Sequence, residues 1–467
     1  MLRILGKDAG LCDGVTRREW LRVGSIGLGG LSLPTLLAQR AADASAGAHA
    51  PPVKAKSVIL FWLTGGVPQH DTWDPKPNGP EGARSEFGVI ATRTPGLHVG
   101  ALMPKTAELT DHIAVLRAMS TGDHSHSSSG YQMLTGIPHL PLTRENALPG
   151  APNDWPSLDA LTRVFRPDLH GLPSAITLPR HIANVGEKVW PGQDAGFLGR
   201  KYDPWKLICD PSGEDFNIPE LQLSEDITPL RFDRRRSLLE QVNGHLDHIE
   251  RRATAQQYDL RTEQAVSLLA GRQAREAFDL SQESVEMRDR YGRTKFGQSV
   301  LLARRLIEAG TSLVHINWPR MDEKVNNGGW DTHIDHHKSL QGWLMPMMDQ
   351  TFSALLEDLE QRGLLEETLV CWVGEFGHTP KINGQAGRDH WGHTFSIAFA
   401  GGGIKGGVVH GETDEEAGYP LAGRTEPRDY MATVLHLMGI DPESTLHDPQ
   451  GRPFPASRGH VISEIVT

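Results

Sequence analysis

Unbroken apolar runs constrain this chain's fold more than any other feature. Leu369 to Val373 shows no polar alternation, and Ser57 to Thr64, SVILFWLT, is nearly as continuous. A strand with one wet face alternates, so a run without alternation belongs inside a sheet covered on both sides, as buried parallel strands are. Both runs end on glycine, at Gly374 and at Gly65-Gly66. Further strands are predicted over Thr311 to Ile316 and within Ile113 to Met119, and another apolar run covers Phe395 to Ala400. Between and after them, apolar residues recur at helical spacing: Leu238, Val242, Leu246 and Ile249; Val300 to Ile307; Leu340, Leu344, Met348 and Leu355; and Asp429 to Met438. Buried strands alternating with amphipathic helices predict an α/β fold, a mostly parallel central sheet with helices on both faces. Residues 51–467 read as one such domain, with loop-rich and then helical elaboration over about 141–300.

Open α/β sheets bind ligands outside the carboxyl ends of their strands. Glu375 follows Leu369–Val373 with one residue between, and Asp71 lies in the turn after Ser57–Thr64. Asp74-Pro75 reads as turn chemistry instead. A polar loop with Gly384 and Gly387 leads to Asp389, His390 and His393. A second cluster, Trp330 to His337, contains Asp331 and His333, which project to one side if the segment is extended. Taken singly these residues are unremarkable, because a Glu after a strand is ordinarily a solvated turn residue. Taken together, their mixture of imidazole and carboxylate suits a divalent metal, Zn, Mn or Fe rather than Ca. Crowded carboxylates also repel without a cation. Asp389 or His393 is the expected support for the His390 ring. The hydroxyl-rich stretch Ser125 to Ser129 has two readings: helix N-capping, or a nucleophile such as Ser127 beside His124 or His126.

The net charge of −11 gives no footing for nucleic acid or anionic lipid. Three cysteines, Cys12, Cys209 and Cys371, exclude a disulfide framework and a Cys-rich metal site. Arg17-Arg18 precedes a mild apolar stretch, Val23 to Ala38, that is Gly-rich and too short for a confident membrane span. Ala44-Ser45-Ala46 and Ala48-His49-Ala50 both fit a small-residue cleavage pattern. Residues 1–50 therefore read as a twin-arginine (Tat) signal peptide. The expected location is periplasmic or extracellular, without a stable membrane span.

RREWLR, GGVPQHDTWDPKP, SHSSSGYQMLTG, LLARRLIEAG, WDTH, GEFGHTPKINGQAGRDHWGH and AGGGIKGG, in that order, resemble the exported bacterial domain-of-unknown-function 1501 family. That family is similar to sulfatases and alkaline phosphatases, which share an α/β sheet and bind metals at its strand ends. The resemblance implies a sulfatase-like domain of the alkaline-phosphatase superfamily, with Asp71, Asp331, His333, Glu375 and His390 as metal ligands. From the nucleophile reading of the hydroxyl-rich stretch, Ser127 and His126 are the expected catalytic residues. The chain departs from a sulfatase's C/S-x-P-S-R segment, since His126-Ser127-Ser128-Ser129-Gly130 has neither Pro nor Arg. Formylglycine chemistry is not expected. Glu375-Phe376 stands where alkaline phosphatases have an Asp-His pair, and His378 where the family usually has Arg. The expected function is a metal-dependent hydrolase acting on phosphate or sulfate esters, of small molecules or polysaccharides. The alternative is a non-catalytic binding or assembly protein that serves other exported proteins.

Overall fold

The computed structural model describes residues 50–184, 186–214, 216, 218 and 272–467. The segment read as a signal peptide, residues 1–50, lies outside the described residues except for Ala50, and so does the helical pattern from Leu238 to Ile249. The sheet is built from β1 (Ser57–Trp62), β2 (Ile113–Met119), β3 (Ala175–Leu178), β4 (Trp205–Lys206), β5 (Leu313–Asn317), β6 (Thr368–Val373), β7 (Phe395–Ala400) and β8 (Val408–His410). These eight strands run in the order β8-β2-β7-β6-β1-β5-β3-β4. β1 pairs in parallel with β6 on one side and β5 on the other, which is why every residue of β1 and of β6 is buried. Only β7 runs against its neighbours. The predicted α/β class, a mostly parallel sheet with helices on both faces, is the fold observed.

Side chains of each strand divide between two cores. Ile59 and Phe61 of β1 join Val370 and Trp372 of β6 on one face, under α3 (Lys295–Glu308) and α4 (Met345–Gln361). Val58, Leu60 and Trp62 join Leu369, Cys371 and Val373 on the other, under α1 (His126–Thr135), α2 (Leu158–Phe165) and α5 (Pro427–Leu437). Each such Leu, Ile, Val or Phe contributes about 1.5–3 kcal/mol by leaving water, and two covered faces explain why these runs need no polar alternation. Among the described residues no helix is long and apolar enough to cross a membrane.

This topology delivers chemistry to one edge. The parallel strands release their chains there at Gly65, Glu375, Arg180 and Trp318. β7 enters the sheet from the same edge, because it is antiparallel, and so brings the residues before it, His390 among them, to that edge.

Candidate metal centre

His390 is fixed by a small hairpin in which Gly377–His378 pairs with His390–Trp391. Asp331 and His333 lie in an irregular segment between β5 and the helical turn that starts at His336, not in an extended strand. Their side chains meet through a bend. Asp331 Oδ1 lies 3.0 Å from His333 Nε2 and 3.0 Å from His390 Nε2, and the two nitrogens are 2.9 Å apart.

The opposite nitrogen of each ring decides what this triangle means. His333 Nδ1 donates to Asp389 Oδ1 at 2.8 Å, and His390 Nδ1 donates to the His124 carbonyl at 2.8 Å. Both partners only accept, so in the neutral rings both Nε2 atoms carry lone pairs. Two lone pairs and a carboxylate oxygen in mutual contact repel unless a cation is shared among them. A proton satisfies part of that demand: the hydrogen bond to Asp331 leads the effects that raise His333 to about 9. A divalent metal satisfies it fully, and imidazoles anchored through the far nitrogen are the usual outer support of metal-ligating histidines.

His126, the first residue of α1, extends the cluster. Its Nδ1 is 2.9 Å from Glu375 Oε1 and its Nε2 is 3.2 Å from Asp331 Oδ2. Burial opposes a charge on this ring, but Asp331 and Glu375 override it and raise His126 to about 10. Burial likewise opposes ionisation of Asp331, yet His126 and the other two imidazoles hold it well below the usual carboxylate range. Glu375 is fully buried; its Oε1 also accepts the Gly65 N–H at 2.7 Å, while Oε2 has no partner. An orphaned buried carboxylate oxygen, a triangle of donors, and one ligand atom each from His126, Asp331 and His390 within 4.8 Å of one another fit a divalent ion. The donor set matches Zn, Mn or Fe chemistry.

Two expected members fall elsewhere. Asp71 is fully buried in a separate knot, where Oδ1 accepts from Ser85 at 2.6 Å and Oδ2 from His336 Nε2 at 2.9 Å. Arg388 stands 3.9 Å away. Burial works against the Asp71 charge, but the His336 hydrogen bond and Arg388 hold it low. The short turn Gln69–Asp71 places the carboxylate against His336, the first residue of the next helical turn. Ser127 is buried as well, its Oγ donating to the Arg144 carbonyl at 2.9 Å and accepting the Ala147 N–H at 2.9 Å. That hydroxyl anchors a loop and does not face the cluster. Asp389 supports His333 rather than His390, and His393 packs on His124, Trp391 and Tyr419. Sequence reasoning missed His336 as the partner of Asp71, and it assigned His126 to catalysis alone. A histidine opening a helix at a sheet's carboxyl edge was the available signal.

The cluster lies in a cavity of 460 Å³ lined by His126, Asp331, His333 and His390. A family model described as "Protein of unknown function (DUF1501)" matches residues 55–466. The chain belongs to that family. Several solved structures are similar to this DUF1501 chain. The PsFucS1 sulfatase from Pseudoalteromonas sp. is 13% identical, covering 83% of this chain and 68% of its own, with a TM-score of 0.35. The phosphonate monoester hydrolase SpPMH from Silicibacter pomeroyi is 12% identical, covering 87% and 76%, with a TM-score of 0.36. The phosphonate monoester hydrolase of Agrobacterium radiobacter is 14% identical, covering 87% and 76%, with a TM-score of 0.34. Likeness this distant carries no activity over to the DUF1501 chain. No curated protein matches the sequence.

Proposed function

We propose that the protein is an exported, metal-dependent hydrolase of phosphate or sulfate esters, working at the Asp331, His333 and His390 cluster. The observation that carries this reading is the triangle of Asp331 Oδ1, His333 Nε2 and His390 Nε2, all within 3.0 Å of one another inside an open cavity. These three atoms would hold the ion, with Glu375 and His126 beside them. Bound metal would supply Lewis-acid polarisation of the ester oxygen.

The chain's own residues supply the rest. Asp389 and the His124 carbonyl keep the two imidazoles in the tautomer that leaves Nε2 free. His126, wedged between Glu375 and Asp331 and outside the ion's ligand set in this reading, would carry at Nε2 the proton that passes to a departing alkoxide. Water is the attacking group in this reading, because the Ser127 hydroxyl is committed to the 144–147 loop. That same commitment favours a second reading, a binding protein that keeps the metal without turnover.

Metal analysis of the purified protein followed by an ester screen separates the two. The expected result is one or more bound divalent ions and chelator-sensitive turnover of phosphate or sulfate esters, abolished in His126→Ala. Stoichiometric metal with no turnover on any ester leaves the binding reading standing.

Export is part of the proposal and has its own test. Changing Arg17 and Arg18 together to Lys should leave precursor in the cytoplasm, while the unaltered chain yields a mature protein starting at about residues 45–51. Normal export of the double variant would refute the twin-arginine route.

A further inference from the structure

The cavity has a second chemistry that the metal-type cluster does not use. Arg180, Lys188 and Arg320 line it together with His126, Asp331 and His390. The fold places the arginines together: Arg180 follows β3 and Arg320 follows β5, and these are adjacent parallel strands paired Leu178 to Ile316. The Arg180 backbone and the Arg320 guanidinium are each tied down. Buried Asn317 donates Nδ2 to the Arg180 carbonyl at 2.6 Å, and Arg320 Nη2 donates to the Ala183 carbonyl at 2.9 Å.

Their charges are poorly compensated. Arg180 meets Glu187 at 3.0 Å, but that carboxylate is 75% exposed, so the pair is worth little. Among the described residues no carboxylate lies within ion-pair distance of Arg320, which spends one of its five donors on Ala183. Burial lowers its pKa, and Arg180 adds to that, while Glu187 and Asp322 act the other way. Burial, and then Lys206, likewise lower His181 between these elements. A cationic wall inside a chain of net charge −11 does not follow from composition. A guanidinium anchored on one backbone carbonyl with donors left over, as Arg320 is, is suited to bidentate oxyanion binding.

We infer that Arg320, with Arg180 and Lys188, forms an oxyanion-binding wall separate from the metal-type cluster, and that the substrate carries a second anionic group besides the ester. The inference rests on the proposed hydrolase reading for the word substrate, but the wall itself does not. A cavity of 460 Å³ accommodates an ester and a neighbouring sulfate, phosphate or carboxylate on one small scaffold. Neutral and singly charged esters lose the contact to Arg320 and are the poorer ligands.

Trp190 and Trp318 also line the cavity and report on it. Titrating the full mature protein, as purified, with sodium sulfate at low ionic strength should give a saturable change in tryptophan fluorescence that matched chloride does not produce. Arg320→Gln should raise the sulfate midpoint by about tenfold or more, the loss of roughly one charge-assisted hydrogen bond. Arg320→Lys should fall between, since it keeps the charge but not the fork. No saturable sulfate signal, or an Arg320→Gln midpoint equal to the unaltered protein's, overturns the inference. Sulfate binding that depends on Arg320 in a protein that hydrolyses no ester overturns only the hydrolase reading.

Discussion

Changing Asp331 to Asn should empty the proposed metal centre. Asp331 is the hub of the cluster: Oδ1 touches both His333 and His390, and Oδ2 touches His126. Asn keeps the volume but replaces a charged donor by a neutral amide that can turn its NH2 toward one of the rings. Loss of an outer hydrogen-bond partner typically weakens a site by roughly 10–100-fold. Asp389→Ala, which frees only His333 Nδ1, should fall in that range, and Asp331→Asn should exceed it. Dialysis against buffer followed by metal analysis should find Asp331→Asn stripped, Asp389→Ala partly occupied and the unaltered protein full. Thermal unfolding offers a second readout, because an ion at about 100 times its Kd adds roughly 2.7 kcal/mol to the folded state. Zinc should therefore raise the Tm of the unaltered protein and leave that of Asp331→Asn in place. Stoichiometric metal in Asp331→Asn would mean that the ion sits elsewhere, and the knot of Asp71, His336 and His337 would be the next place to look.

That knot shows where sequence reasoning reaches and where it stops. The strands were legible because burial on both faces writes an unbroken apolar run, so Ser57–Trp62 and Thr368–Val373 stand within two residues of their predicted bounds. Glu375 was legible for a related reason, since it follows its strand with one residue between and the strand fixes its height at the sheet edge. Asp71 follows its strand too, but after a turn whose direction is set by Ser85, His336 and Arg388, which come from three distant segments. Spacing along the chain holds no record of that choice. The same holds for Ser127, whose hydroxyl is used by Arg144 and Ala147. Arg180 and Arg320 were invisible for the opposite reason. Each is a single arginine in a loop, and only the adjacency of β3 and β5 makes them neighbours.

Gly65→Ala should cost both stability and metal, whereas Gly82→Ala should cost only a little stability. Both glycines have positive φ, +114° and +86°, so either alanine carries the strain of a left-handed backbone, about 1–2 kcal/mol. Their surroundings differ. A Cβ on Gly82 meets nothing within 4 Å, while one on Gly65 would lie 2.1 Å from the Asp331 nitrogen and 2.7 Å from the Trp330 carbonyl carbon. Those obstacles are backbone, which cannot rotate aside. The segment carrying Asp331 must shift, although Trp330 N–H is bound to the Thr64 carbonyl at 3.1 Å and the Gly65 N–H to Glu375 at 2.7 Å. The end of β1, Glu375 and Asp331 thus share one close contact that only glycine permits. A displacement of about 1 Å is enough to separate Asp331 Oδ1 from the two imidazoles and lose the geometry that a metal requires. Thermal unfolding with metal analysis on both variants gives the comparison. Gly82→Ala should retain its metal with a Tm a few degrees lower at most, and Gly65→Ala should unfold well below it and hold no ion. If the two variants behave alike, the contact between Gly65 and Asp331 does not position the centre, and the irregular segment from Trp330 to Asp335 must be held by the Gly387 side instead, where a Cβ would lie 1.8 Å from the His333 carbonyl oxygen.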